Sequence, residues 1–186
     1  MEKATKQTEL QQLKKQINPH FLFNMLNNAN ILVKDAPDEA SQILEKLDNL
    51  LRYQLNDSTR REVFLTADIQ FLTSFLELEK VRRDHFEYTI FQEGNMENIC
   101  IPPLLFIPFV ENAVKHNLDS DNLSYVHLYF SVHNKQLTFR CENSKPRVPV
   151  KREGGIGLAN VKRRLDLLYE SRYTLPVSYT HLTLPT

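Results

Sequence analysis

The sequence carries no excess charge of either sign, since Lys and Arg number 23 and Asp and Glu also number 23. A net charge of zero removes the global electrostatic case for nucleic acid, so no direct DNA or RNA partner is expected. A broad basic face for a membrane is missing for the same reason. Cysteine is scarce: Cys100 and Cys141 form no redox or metal-ligand pair in sequence. Free thiols in a reducing cytoplasm are therefore the expectation. No run of about 18 or more apolar residues exists, which argues against a bilayer-spanning helix. The polar, mixed-charge stretch from Met1 to Gln16 does not read as a signal peptide. Neither internal repeats nor low-complexity tracts are found.

What is present suits one or two compact domains, with 186 residues, 41% hydrophobic and 25% charged. Leu10, Leu13 and Ile17 recur at helical spacing, and the helix is expected to run from Lys3 to about Val33 with a kink at Pro19. Asp35 is the expected cap of a second helix bearing Ala40, Ile43, Leu44, Leu47, Leu50, Leu51 and Leu55. The two stripes are too wide for one partner, so pairing across a dimer into a four-helix bundle is expected. Thr66 is the expected cap of a third helix over 67–83. Alternation at Phe86, Tyr88 and Ile90 marks a strand, and Pro103 is expected to open an apolar helix ending near 115–118. Strands are expected over 125–132 and 136–142, then a helix over 158–169. The fold class is α+β, with a helical region over 1–84 followed by an α+β region over 85–175.

The stretch 176–186 (PVSYTHLTLPT) lacks periodicity and looks like a non-native tail. On that expectation the second domain lacks its last strands and leaves a sheet edge unpaired.

Two constellations carry chemistry. In the first, Gln16-Ile17-Asn18-Pro19-His20-Phe21-Leu22-Phe23-Asn24 sets a histidine beside a helix-breaking proline. Asn24 and Gln16 lie four residues on either side of His20, within hydrogen-bonding reach of its ring. Heptad-like spacing would also suit a polar bundle position, yet a neutral imidazole is a competent phosphoryl acceptor. QINPHFLFNMLN closely resembles the phosphoacceptor box of LytS/YehU-type sensor histidine kinases. The blocks Leu50-Leu51-Arg52-Tyr53 and FLELEKVR over 75–82 also look like that family's. The resemblance implies ATP-dependent autophosphorylation of His20. Many other histidine kinases place an acidic residue directly after the histidine; here Phe21 follows, and the base is unassigned.

In the second constellation, Asn112, Lys115 and His116 share one helix face directly after Glu111. A carboxamide oxygen suits Mg²⁺, and the two basic side chains suit phosphate oxygens. A polar helix end with a Glu111–Lys115 pair is the plain alternative. ENAVKH resembles the N-box of the GHKL ATPase superfamily, which implies that Asn112 is the ligand of nucleotide-bound magnesium. GGIGLANVKRRL resembles that family's second glycine box, with Gly155, Gly157, Leu158 and Asn160 expected to bind ATP at a helix start. Lys162, Arg163 and Arg164 follow. The superfamily usually has Asp-x-Gly in the first glycine box, and the chain departs from it with Cys141-Glu142-Asn143-Ser144. Either Glu142 or Asn143 is the expected adenine contact. His20, Asn24 and Glu111 form the expected catalytic set.

The second domain is therefore expected to be a GHKL (Bergerat-type) α/β sandwich. The resemblance further implies a homodimer and phosphoryl transfer to an aspartate of a response regulator, often of LytTR type. It also implies a membrane segment upstream, placing the chain on the cytoplasmic side of a bacterial membrane. The alternative is a degenerate dimeric scaffold that does not turn over ATP.

Overall fold

The computed structural model describes residues 19–116, 123–144, 156–175 and 180–185. Helix α1 spans Pro19–Leu32 and α2 spans Pro37–Asn56. The kink expected at Pro19 involves preceding residues that lie outside those described. Phe21, Met25 and Ala29, each four residues apart, form the buried stripe of α1. They meet a stripe of Ala40, Ile43, Leu47 and Leu50 on α2. Asp35 does not cap α2, which begins after Ala36 with no side-chain cap. Pro37 instead opens the first turn, where its missing N–H costs nothing, and Asp38 and Glu39 face the positive helix end.

A two-residue strand β1 (Val63–Phe64) runs straight into α3 (Leu65–Arg82). Thr66 was the expected cap, but Phe64 holds that position. The Leu65 amide donates to the Ile99 carbonyl at 2.8 Å, so pairing of β1 with β3 (Cys100–Ile101) satisfies a donor that a cap would otherwise take. Buried side chains lie on nearly all sides of α3, including Leu65, Ile69, Leu72, Phe75, Leu76 and Leu78. A helix of that kind is a central pillar, and α3 packs against α1, α2, β1 and the long strand β2.

Strands β2 (Phe86–Glu93), β4 (Ser124–His133), β5 (Gln136–Asn143) and β6 (Thr180–Pro185) form one sheet in the order β2-β4-β5-β6. β2 is parallel to β4, and the other neighbours are antiparallel. Asn134 and Lys135, both at positive φ (50° and 60°), turn the β4–β5 hairpin. Gly94, at φ 88°, admits the chain against the Val132 carbonyl, where a Cβ would clash with the oxygen.

The edge of β5 that was expected to stand unpaired carries β6, with Leu137 opposite Leu184. Leu184 is buried in the core. The alternation of Leu182, Thr183 and Leu184 suits a half-buried strand, although sequence alone placed none there.

Helices α4 (Ile107–His116) and α5 (Ile156–Tyr169) accompany the sheet, and α4 packs on β4, β5 and α5. Phe106 and Phe109 meet Phe139 with ring centroids 4.5 and 5.8 Å apart. α4 starts at Ile107 rather than Pro103. Leu104 adopts a left-handed φ of 56°, which no α-helix accommodates. One continuous buried cluster joins Phe21 and Phe75 to Phe130, Phe139 and Leu184.

Candidate active site

His20 lies exposed in the first turn of α1. Its Nδ1 is 3.2 Å from the Asn24 amide nitrogen, one helical turn on. The reach expected from i, i+4 spacing is therefore realised for Asn24, while Gln16 falls outside the described residues. Turned so that its Oδ1 accepts an Nδ1–H, the same amide leaves the Nε2 lone pair outward. Phe21 turns inward and packs on Phe75 of α3, with ring centroids 5.0 Å apart. The residue after the histidine is thus a hydrophobic anchor, which fixes the roll of α1 and with it the direction of the imidazole.

Asn112 is half-buried near the end of α4, and Lys115 is exposed one turn later. His116 closes the helix. Glu111 sits among other charges: burial first, and then neighbouring Glu79, pushes its carboxyl up to about 7. Glu79 on α3 is itself buried and pairs with Arg82 at 2.7 Å and Arg83 at 3.1 Å. Arg83 reaches across to donate to the Val114 carbonyl at 3.1 Å, a cation at the C-terminal end of α4. This cluster holds the helix end that bears Asn112.

The two adenine candidates face opposite ways. Buried Leu137, Phe139 and Cys141 define the helix-covered face of β5, and Asn143 continues that alternation. Glu142 shares the other face with Arg140, its ion-pair partner at 3.2 Å. Asn143 is half-buried, and its amide donates to the Ser144 carbonyl at 2.8 Å. Ser144 extends the ladder: its N–H donates to the Tyr125 carbonyl at 3.1 Å, and its Oγ accepts from the Tyr125 amide at 3.1 Å.

α5 begins two residues earlier than expected, so Gly157 and Leu158 belong to its first turn and Asn160 follows half-buried. Gly155 lies outside the described residues. Lys162 and Arg163 are exposed, whereas Arg164 turns inward and is only 4% exposed. Its guanidinium donates to the carbonyls of Leu104 (2.9 Å) and Pro103. Beneath the same turn, Asp68 Oδ1 accepts from the Leu104 amide at 3.0 Å and from the Tyr53 hydroxyl at 2.5 Å. Burial drives the Asp68 carboxyl up to about 6, although Tyr53, the Leu104 and Phe106 amides and Arg164 all favour its anion. The sequence reading missed this group. Its signal was an acid among Leu65, Ile69 and Leu72, and an arginine between Val161 and Leu165, on otherwise apolar stripes.

Residues 8–86 match the family model for histidine kinases. The chain is 29% identical to the sensor protein LytS of Staphylococcus haemolyticus over 97% of its length, and 33% identical to the sensor histidine kinase YpdA of Escherichia coli over 59%. It spans 33% of the first relative and 20% of the second. The catalytic domain of histidine kinase ThkA shares the fold, with a TM-score of 0.50 and 15% identity over 67% of this chain and 93% of that domain. Among the described residues no helix is long and apolar enough to cross a membrane.

Proposed function

We propose that this relative of the LytS-type sensor histidine kinases is the catalytic part of such a kinase. ATP phosphorylates His20, and the phosphoryl group then passes to an aspartate of a response regulator. The observation that carries the reading is the exposed His20 imidazole, held at Nδ1 by Asn24 on a helix that Phe21 locks to α3.

The residues fit a magnesium nucleotide. Among the described residues no three His, Cys, Asp or Glu side chains gather into a metal cage. Mg²⁺ is ordinarily held by one or two protein oxygens together with nucleotide phosphates, and Asn112 supplies one such oxygen. Lys115 and His116 address phosphates, and the amides at the start of α5, around Gly157 and Leu158, suit a polyphosphate, with Gly155 just before them in sequence. Asn160 follows on that helix. Asn143, on the helix-covered face, is the adenine contact; Glu142 points away. When bound, the nucleotide supplies the phosphoryl group and the metal neutralises its charge.

The chain's own residues position and exchange protons. The ring nitrogen of His20 forms the new N–P bond as the bond from the γ-phosphorus to the bridging oxygen breaks and ADP leaves. The imidazolium so formed then loses its remaining N–H proton to solvent, to which His20 is exposed. Glu111, directly before Asn112 on α4, completes the proposed catalytic set with His20 and Asn24.

Phe23 (67% exposed) and Ile31 (70%) on α1, with Leu55 (70%) on α2, leave an apolar surface on the hairpin. A second copy of the chain covers it in our reading, completing a four-helix bundle. The regulator is of the LytTR type, and the whole protein reaches a bacterial membrane through an upstream segment, with this part on the cytoplasmic side.

The test is incubation with labelled Mg-ATP. The expected product is acid-labile, base-stable phosphate that disappears in His20→Gln while ATP binding stays. Absence of both labelling and ATP binding would favour the scaffold alternative.

A further inference from the structure

We infer that Tyr53, Asp68 and Arg164 form a buried positioning joint through which the nucleotide-binding elements set the orientation of the phosphoacceptor hairpin. The inference rests on the kinase reading above and adds to it a group that touches neither nucleotide nor histidine.

Three elements meet at one left-handed residue, Leu104. From the hairpin comes Tyr53 of α2, whose hydroxyl donates to Asp68. The same Asp68 oxygen holds the Leu104 amide, and Arg164 of α5 holds the Leu104 and Pro103 carbonyls. Every participant is buried: Tyr53 is 7% exposed, Asp68 0%, Leu104 2% and Arg164 4%.

Each partner leads to a functional element. Arg164 lies seven residues, or two helical turns, beyond Gly157 on the same face of α5, so a shift at the glycine turn moves the guanidinium. The Pro103–Leu104 turn runs into α4, which carries Asn112. Tyr53 sits on α2, which packs along α1 and so supports His20. Stability alone is a poor reason for this arrangement, because burying charged groups carries a desolvation penalty that well-packed apolar groups avoid. Its directional bonds instead admit few relative placements of the three elements.

Tyr53→Phe tests the joint, since it removes one hydroxyl and keeps the ring stacked on Phe71 at 4.7 Å. Three readouts are needed on the full chain: Mg-ATP affinity by calorimetry, autophosphorylation rate, and hydrogen exchange of α1 and α2 with and without a non-hydrolysable ATP analogue. The joint predicts affinity within about twofold of wild type, a rate at least about tenfold lower, and loss of the nucleotide-induced change in exchange across α2. Wild-type rate and exchange response in the variant would overturn it, as would affinity and rate falling in proportion. The wild-type exchange data supply a check that needs no variant: nucleotide binding without any change in α2 also overturns the joint. Failure of wild type to bind nucleotide at all sinks the kinase reading and the joint together, whereas binding with an indifferent α2 sinks the joint alone.

Discussion

Replacing Tyr53 by phenylalanine should cost more stability at about pH 8 than at about pH 5. The hydroxyl donates to a carboxyl with no solvent exposure. Burial raises that Asp68 group from an ordinary 3.8 to about 6. Near pH 5 the folded protein mostly holds the neutral acid, and the lost bond is an ordinary one worth about 0.5–1.5 kcal/mol. Near pH 8 the acceptor is an anion, and the lost bond is worth about 1.5–3 kcal/mol. The linkage has the same sign. A raised native pKa means that the folded state binds a proton the unfolded chain does not. The corresponding stabilisation is full below 3.8 and is lost as pH rises through about 6. Tyr53 favours the anion, so its loss moves the Asp68 value further up and deepens the deficit on the alkaline side. Urea denaturation of wild type and variant at both pH values, read at constant m-value, measures the difference. An equal penalty at the two pH values, or a larger one at pH 5, would refute the reasoning.

Other expectations concern binding, packing and assembly. Asn143→Ala should weaken Mg-ATP binding about tenfold, as expected for one lost hydrogen bond, and Glu142→Ala should leave it within about twofold; titration calorimetry separates them, and the reverse ranking would contradict the assigned face of β5. Phe106→Ala removes a ring set between Phe130 and Phe139 and should destabilise by about 3–5 kcal/mol in chemical denaturation. If a second copy covers the hairpin, wild type should sediment as a dimer and a Phe23→Glu, Ile31→Glu double variant as a monomer, since both side chains lie on its exposed surface; equal sedimentation of the two would contradict the pairing.

Much of the fold was legible because the helices and strands follow their own periods. The stripe of Ile69, Leu72, Phe75 and Leu76 gave α3, and alternation gave β4 and β5 within a residue or two of their ends. The His20–Asn24 contact followed from helical spacing alone. What local patterns could not show depends on distant partners. The late start of α4 reflects Leu104 held by Asp68 and Arg164, 36 and 60 residues away. The caps of α2 and α3 were misplaced because Pro37 and the β1–β3 pairing do the work assigned to Asp35 and Thr66. Which of Glu142 and Asn143 lies beneath the helices depends on strand parity, which no local pattern shows and which puts Asn143 on that face. β6 was overlooked because a six-residue segment ending in proline makes a strand only beside a waiting edge.

The most direct test is mass spectrometric mapping after incubation with Mg-ATP under non-acidic conditions. Cleavage after Lys15 and Lys34 yields QINPHFLFNMLNNANILVK, which contains His20 but no Ser, Thr, Tyr or Asp. The expected product is this peptide with one added phosphoryl group, located at His20. Phosphate found only on other peptides, from a preparation shown to bind ATP, would contradict that assignment.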